Sequence, residues 1–260
     1  METNMKDYTV SGCIVTYNNK DKIEQTISSL LDQTKGVKFE LFVVDNNSTD
    51  GTPEFISEKF PEVKVIKSQR NNGFGAGHNM AIPFLESKYH VVINPDIILK
   101  SDVICELCEY ADGHDDVGLL SPQIRVEDGR IQQLGKRNPT PRYLGSHWLH
   151  KGDEPSKTMI KYCMLDKPQD EPFEITNATG CFMFFRTDVF KKLGGFDERF
   201  FMYLEDCDIA RRVSKEYRAL HYPMADVYHL WERGSKKNKK LLKIHIESII
   251  KYFLKWGFFG

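Results

Sequence analysis

The sequence has little that would direct it into a membrane, to a nucleic acid or to an oxidising compartment. Its 260 residues carry a formal net charge of −1, so no overall field attracts nucleic acid. No apolar run approaches the roughly 20 residues that cross a bilayer, and the polar segment 1–7 lacks the apolar core of a signal peptide. With 40% hydrophobic and 28% charged residues, the chain is expected to be a globular protein of the cytosol.

Cysteines are few and scattered. Of the six, only Cys105 and Cys108 are close, and they lie inside a helical pattern with no second pair and no histidine partner. Because structural zinc sites normally need four ligands, we expect reduced and mostly buried thiols instead. No internal repeat is visible, and the length fits one large domain or two tightly joined halves.

Strand and helix patterns alternate over the first hundred residues. Apolar runs predict buried strands at 8–16, 39–45, 63–66 and 89–93. Amphipathic segments between them predict helices at 20–32, 52–59 and 75–87. This alternation predicts an α/β fold, a mostly parallel sheet flanked by helices, with ligands bound beyond the carboxyl ends of the strands.

The pattern changes after residue 117. One or two short strands are predicted at 117–126, followed by a turn, and a further strand at 177–185. Residues 136–172 are rich in Pro, Lys and Gly without sustained periodicity, which predicts an irregular, mobile loop over a site.

The last 25 residues form a basic amphipathic segment. Lysines at 236–240 precede apolar residues at helical spacing, and Ile246, Ile250, Phe253 and Trp256 are candidates for insertion at a membrane surface. The same pattern also suits a C-terminal helix that packs on the core with its lysines solvated. Both interpretations are open at this point.

Glu205 and Asp206 are candidate catalytic residues. They follow the aromatic-rich run 200–204 and begin a short amphipathic helix. Free N–H groups at a helix start stabilise carboxylates, and apolar surroundings let a carboxylate keep its basicity. The pair therefore suits a general base that deprotonates a sugar hydroxyl, and equally an ordinary helix N-cap.

Two other carboxylates end predicted strands. Asp45 precedes Asn-Asn-Ser and offers an acceptor to the imide N–H of a pyrimidine base, although the pattern also suits a turn that caps the next helix. Asp96 follows Pro95 and is a hard oxygen ligand. It suits Mg²⁺ or Mn²⁺ when a diphosphate and water complete the coordination shell.

A glycine-rich loop and a histidine complete the candidate site. The loop 71–79 precedes a helix, allows close backbone approach and offers N–H groups to an anion. Its spacing departs from the dinucleotide fingerprint. A lone histidine is usually structural, but His229 is followed by Trp231, Arg233 and Ser235 and suits contact with a metal or a diphosphate.

Seven motifs occur in an order that carries a family resemblance. They are Thr16-Tyr-Asn, Val44-Asp-Asn-Asn-Ser, Asn72-Gly-Phe-Gly-x-Gly-x-Asn79, Asn94-Pro-Asp-Ile, Gly180-x-x-Met-x-x-Arg186, Gly194-Gly-Phe-Asp-Glu and Tyr203-Leu-Glu-Asp-x-Asp208. Over residues 8–235 the chain resembles the family 2 glycosyltransferases with the GT-A fold, and within them the bacterial rhamnosyltransferases of surface polysaccharide assembly.

The resemblance implies roles for individual residues. Asp206 would be the catalytic base, supported by Glu205, and Asp96 and His229 would meet a Mg²⁺ or Mn²⁺ cofactor. The nucleotide sugar would contact Thr16, Tyr17, Asp45, Asn47, Asn72, Gly73, Phe74, Gly77, Asn79 and Asn94. The acceptor would contact Thr179, Gly180, Phe201, Tyr203 and Trp231, with Phe200 in the same aromatic rim. Asn94 replaces the first acid of the family's Asp-x-Asp motif, which implies low metal affinity.

The resemblance also implies an inverting transfer. The favoured donor is dTDP-rhamnose, with a UDP-hexose or UDP-galactofuranose as alternatives, and the acceptor is a saccharide or a polyprenyl-diphosphate-linked saccharide at the cytoplasmic face of the cell membrane. A homodimer is compatible with this reading. Residues 1–100 would form the nucleotide-sugar-binding half, 101–235 the acceptor-binding and catalytic half, and 236–260 the basic tail.

Two other classes of protein fit the sequence less well. Sugar-phosphate nucleotidyltransferases carry a Gly-rich, Arg/Lys-containing loop after the first strand, where this chain has Tyr17-Asn-Asn-Lys20. A non-catalytic sugar-nucleotide or polysaccharide-binding module would not need Asp45, Asp96, Glu205 and Asp206 together.

Overall fold

The computed structural model describes residues 9–149, 155–230 and 239–258. The strands are β1 (Thr9–Thr16), β2 (Lys38–Asp45), β3 (Lys64–Lys67), β4 (Tyr89–Ile93), β5 (Ile97–Ile98), β6 (Val117–Val126), β7 (Phe173–Glu174), β8 (Phe182–Arg186) and β9 (Arg218–His229). The α-helices are α1 (Lys20–Gln33), α2 (Thr52–Lys59), α3 (Phe74–Asn79), α4 (Val103–Asp112), α5 (Pro141–Leu149), α6 (Lys157–Cys163), α7 (Thr187–Lys192), α8 (Glu205–Val213) and α9 (Lys239–Trp256).

The strands form one sheet in the order β3-β2-β1-β4-β8-β6-β9-β5, and β7 pairs with β9. The first four strands pair in parallel, as their alternation with helices predicts. Beyond them β8 runs antiparallel to β4 and β6, while β6 and β9 pair in parallel. The result is an α/β fold with a parallel first half and a mixed second half.

Both faces of the sheet are covered by helices. On β1, Val10 and Ile14 belong to one apolar cluster, whereas Cys13 and Val15 belong to the other, because successive strand residues face opposite sides. Helices α1 and α4 pack on the first face, and α7 and α8 on the second. The six cysteines are unpaired and five are buried, as the composition predicts.

Two predicted segments differ from the observed ones. The helix predicted over 75–87 is α3 followed by a 3₁₀ turn, Ile82–Phe84. Pro83 explains the break, because its ring has no N–H to donate and clashes with the carbonyl four residues earlier. The irregular loop predicted over 136–172 is wrong in part, since it contains α5 and α6. The hydroxyl of Ser156 accepts a hydrogen bond from the Met159 N–H at 3.2 Å and caps α6.

The C-terminal helix α9 packs on the domain. Tyr252 and Phe253 are buried together with Phe200, Leu204 and Cys207. One of the two interpretations of the tail is therefore confirmed for the inward face of this helix. Within the described ranges, no helix is long and apolar enough to span a membrane.

Candidate active site

Backbone hydrogen bonds bring the predicted site segments together at the carboxyl ends of β1 and β2. The Asn46 N–H donates to the Thr16 carbonyl at 2.9 Å, and the Asn46 side chain donates to the Gly73 carbonyl at 2.8 Å. From there the Phe74 N–H donates to the Phe201 carbonyl at 2.8 Å. One chain of contacts therefore joins the strand ends, the glycine-rich loop and the aromatic run before α8.

Asp45 is buried at the end of β2 with one oxygen satisfied. Its Oδ2 accepts the Ser48 N–H at 3.0 Å, while its Oδ1 is buried without a hydrogen-bond partner. An unsatisfied buried acceptor costs roughly 1–3 kcal/mol, and a ligand N–H would remove that cost. Thr16 is buried beside it, and Tyr17 is 48% exposed and accessible to a ligand.

The glycine-rich loop needs its first glycine. Gly73 has φ of +86°, and a Cβ there would lie 2.0 Å from the Phe201 carbonyl oxygen, so no other residue fits. A Cβ at Gly77 would lie 2.8 Å from a methyl carbon of Val15. The side chain of Asn79 bonds to Phe196 and Glu198 within the protein.

The Asn72 side chain likewise bonds within the protein, to Ser68 and Arg70. Asn72 and Asn79 therefore hold the loop, and their contact with a nucleotide sugar stays a prediction.

Glu205 and Asp206 begin α8 in two different environments. The Asp206 carboxylate accepts the N–H of Gly180 and the N–H of Cys207, each at 2.8 Å, and is half-buried. Glu205 is 4% exposed, and its Oε2 has no hydrogen-bond partner. Tyr203 and Leu204, directly before the pair, both have left-handed backbone angles. Asp206 is therefore the more accessible of the two carboxylates.

The two carboxyl groups differ in their protonation. Burial, with a smaller contribution from the neighbouring Asp206 charge, raises the pKa of Glu205 to about 8. Burial also raises the pKa of Asp206, while the amides of Gly180 and Cys207 favour its ionised form. Like charges this close disfavour double ionisation, so Glu205 holds the proton and Asp206 is the basic carboxylate.

Asp96 and His229 face each other because β5 pairs with the end of β9. His229 Nε2 lies 3.2 Å from Asp96 Oδ1, and both atoms are buried without a hydrogen-bond partner. His229 Nδ1 lies 3.0 Å from Gln132 Oε1. This contact orients the imidazole ring with Nε2 towards the Asp96 carboxylate.

This pair fits a divalent cation. A carboxylate oxygen and an imidazole nitrogen are both ligand atoms for divalent cations, and here each is buried without a hydrogen-bond partner. No group of three or more His, Cys, Asp or Glu side chains suited to a metal occurs in the described part of the chain. A substrate diphosphate and water would therefore supply the other ligands, as is usual for Mg²⁺.

The remaining predicted residues lie around this centre. Asn94 donates its backbone N–H to the Cys181 carbonyl, and Asn47 adopts φ of +66°. Thr179 lies beside Gly180, and Tyr203 stacks on His245 of α9 with ring centroids 4.5 Å apart. Trp231 lies outside the described residues.

The aromatic rim holds one residue fewer than predicted. Phe200 is 1% exposed and packed in the core with Tyr252. Phe201 and Tyr203 are partly exposed, whereas Phe200 is not part of an accessible rim.

Sequence reasoning missed two groups of residues. One lines a small polar cavity beside Thr179 and comprises Gln123, Gln132, Lys136, Asn177 and His221. The other is the set of partners of Asp208, a residue of the last of the seven motifs, which is fully buried and accepts from Arg212, Lys255 and Trp256. The spacing of Asp208 and Arg212 on α8 is a sequence signal for their ion pair. The cavity residues come from distant segments and have no such local signal.

Comparison with known proteins identifies the family. The model of the family described as Glycosyl transferase family 2 matches residues 11–194. The chain belongs to this family. The N-acetylglucosaminyl-diphospho-decaprenol L-rhamnosyltransferase of Mycobacterium tuberculosis is 29% identical over 234 residues, 83% of this chain and 74% of that protein. The rhamnosyltransferase WbbL of Escherichia coli K12 is 24% identical over 254 residues, 92% of this chain and 90% of that protein.

Solved structures confirm the fold of this family 2 glycosyltransferase. The mannosyltransferase PcManGT from Pyrobaculum calidifontis, solved with GDP-Man and Mn²⁺, superposes with a TM-score of 0.69 at 19% identity, covering 96% of this chain and 65% of that one. S. aureus TarS 1–349, solved with UDP, gives a TM-score of 0.61 at 19% identity, with 93% and 65% covered. The GT-A type of fold, predicted from the seven motifs, is thus confirmed.

Proposed function

We propose that this family 2 glycosyltransferase is an inverting enzyme that transfers L-rhamnose from dTDP-rhamnose to a saccharide or a lipid-linked saccharide. The observation that carries the catalytic part is the carboxyl pair at the start of α8. Protonated Glu205 lies behind Asp206, which is held by two N–H donors and reachable from outside. This arrangement supports a single basic carboxylate at the end of the sheet where ligands of such folds bind.

The reaction follows from that geometry. Asp206 takes the proton of the acceptor hydroxyl while the oxygen of that hydroxyl attacks the anomeric carbon. The bond from this carbon to the nucleoside diphosphate breaks on the opposite face. General-base assistance of this kind contributes about 10²–10⁴ in rate. A divalent ion held by Asp96 and His229 would offset the charge that develops on the departing diphosphate.

The donor assignment is argued from Asp45 and from the relatives. The unsatisfied Oδ1 of Asp45 suits the imide N–H that thymine and uracil both present. Both sequence relatives described above are named rhamnosyltransferases, which favours dTDP-rhamnose. A UDP-hexose or UDP-galactofuranose is the alternative, because Asp45 does not distinguish the two bases.

The acceptor assignment is argued from one relative. The mycobacterial protein is named for an acceptor linked through diphosphate to decaprenol. We infer that the acceptor is a polyprenyl-linked saccharide of surface polysaccharide synthesis. The enzyme would bind it at the cytoplasmic face of a membrane, which the C-terminal helix would contact. We also propose that the domain divides at residue 100 into a donor-binding half and an acceptor-binding half.

A ligand panel tests this function. We expect dTDP-rhamnose with Mg²⁺ or Mn²⁺ to raise the melting temperature more than UDP-galactose, UDP-galactofuranose or GDP-mannose. A ligand at 100 times its Kd stabilises by about 2.7 kcal/mol. Transfer of labelled sugar to a lipid-diphosphate acceptor then measures turnover. A larger shift with a UDP-sugar would replace the donor, and binding with no turnover on any acceptor would favour a non-catalytic binding module.

A further inference from the structure

The outer side of α9 carries an apolar ridge. Of nine large apolar side chains exposed in the described ranges, five lie on this helix or directly after it, namely Leu242, Ile246, Ile250, Leu254 and Phe258. Leu242, Ile246, Ile250 and Leu254 are spaced four residues apart along the helix and so form one continuous row. Phe258 follows the end of the helix and stacks on Phe253. Leu254 is 79% exposed and Ile250 is 53% exposed. Soluble surfaces normally scatter such residues singly, so a row of this kind indicates a contact surface.

The opposite side of α9 is fixed to the catalytic part of the domain. Tyr252 and Phe253 are buried, and the Ser248 hydroxyl donates to the Met202 carbonyl at 2.7 Å. The Trp256 indole N–H donates to Asp208 on α8 at 2.8 Å. Phe253 and Trp256, predicted to enter a membrane surface, therefore face the core. The ridge is consequently held in a constant orientation relative to α8, which begins with Glu205 and Asp206.

The charges of α9 indicate what covers the ridge. The helix has five lysines, Lys239, Lys240, Lys243, Lys251 and Lys255, and only one acidic residue, Glu247. Lys255 faces inward onto Asp197 and Asp208, whereas the Lys243 side chain is 80% exposed. A second copy of the same helix would oppose lysines with lysines, which is unfavourable. An apolar row bordered by lysines instead complements an anionic lipid surface.

We propose that the ridge lies in the head-group region of an anionic membrane, with α9 parallel to the surface. This proposal rests on the membrane association in the proposed function. It adds which side chains make the contact and which lipid charge they meet. Because α9 is fixed to α8, the contact would also hold Asp206 at a set height and orientation over the lipid, where a lipid-linked acceptor is presented.

Vesicle co-sedimentation of the full chain tests the proposal. The probes are vesicles of phosphatidylglycerol with phosphatidylcholine, vesicles of phosphatidylcholine alone, and both at low and high salt. We expect binding to the anionic vesicles that weakens with salt. Burial of an Ile or Leu side chain is worth about 1.5–3 kcal/mol, so Ile250→Glu with Leu254→Glu should weaken binding more than about tenfold.

Four further measurements keep the proposal falsifiable. Met224→Glu, at an exposed apolar residue elsewhere, should leave vesicle binding unchanged. Lys239→Gln with Lys240→Gln and Lys243→Gln should weaken binding to anionic vesicles alone. The melting temperature of each variant verifies that it folds, and the shift with dTDP-rhamnose tests the proposed function without lipid.

Three different results would contradict the proposal. The proposal is wrong if the wild type ignores anionic vesicles, or if the ridge variant binds them as the wild type does. It is also wrong if light scattering shows a dimer that the ridge variant dissociates, because the ridge would then be an interface between copies.

Discussion

Single residues with unfavourable backbone or side-chain states concentrate at the candidate active site. Outside glycine, five described residues have a left-handed backbone, and four of them, Asn18, Asn47, Tyr203 and Leu204, lie next to the predicted donor or catalytic segments. Such states cost of order 1–3 kcal/mol each and persist where the surrounding fold enforces them. Together with the unpaired oxygens of Asp45 and Asp96, they indicate a surface built to receive a ligand.

Replacing Asp206 tests the base. Asp206→Asn should lower turnover at least about 100-fold, because an amide cannot accept the acceptor proton. Nucleotide binding should be nearly unchanged. The matched control is Asp188→Asn, an exposed aspartate in the first turn of α7, which should keep full activity. Turnover above about a tenth of the wild type would rule out Asp206 as the base.

Replacing Asp96 tests the metal pair. Asp96→Ala should abolish the stabilisation that Mn²⁺ adds to nucleotide-bound protein, and EDTA should reproduce the loss in the wild type. The reason is that Asp96 and His229 would be the two protein ligands of the proposed metal site, so removing either the carboxylate or the ion should abolish the effect. Gln132→Leu should weaken Mn²⁺ binding about 10–100-fold by freeing the His229 ring. Full activity in EDTA would remove the metal from the mechanism.

Helices α8 and α9 depend on each other through one buried carboxylate. Asp208 is fully buried and accepts from Arg212 on its own helix at 2.8 Å. Lys255 and Trp256 reach it from α9 at 2.6 and 2.8 Å. A buried charge is tolerated only when it is paired and hydrogen-bonded. The packing of α8 therefore depends on the two donors that the end of α9 supplies to Asp208.

Trp256→Phe tests this coupling. The change keeps the aromatic ring and removes the N–H donor, and a hydrogen bond to a charged group contributes about 1.5–3 kcal/mol. We expect the melting temperature to fall by several degrees. Leu254→Gln, two residues away on the outer side, should leave it within about a degree. Equal melting temperatures for Trp256→Phe and the wild type would mean that α9 is not held through Asp208.

For the whole molecule, the buried carboxyl pair predicts how stability varies with pH. Glu205 has its pKa raised to about 8 in the fold against 4.5 normally. Between those values the folded protein keeps a proton that the unfolded chain has lost, so this group lowers stability progressively as pH rises. Below about 4.5 both states hold the proton and the penalty is absent.

Glu205→Gln tests this dependence. The glutamine cannot ionise, so the melting temperature of the variant should gain on the wild type by several degrees between about pH 5 and about pH 8. Titrating groups that do not interact with Glu205 cancel in the difference between the two proteins, whereas Asp206, which does interact with it, contributes to that difference. A constant difference across that window would show that Glu205 is ionised in the fold.

Local patterns in the sequence determined the first half of the fold and the identity of the acidic residues. The alternation of apolar strands and amphipathic helices predicts β1 to β4 in parallel, and Asp45, Asp96 and Asp206 sit where strands end or a helix begins. These features depend on periodicity and on turn chemistry within a few residues. In this half, the predicted end of the helix that begins with α3 was wrong, and Pro83 explains this locally.

Tertiary structure alone decided which distant residues meet. The pairing of β5 with β9 brings Asp96 to His229, and the Gly180 amide that favours ionised Asp206 comes from the loop before β8. The sequence left the tail undecided because an amphipathic pattern does not say what covers each side. Packing on the domain buried Tyr252 and Phe253 and left Leu254 outside, since burial depends on many weak contacts between segments far apart in the chain.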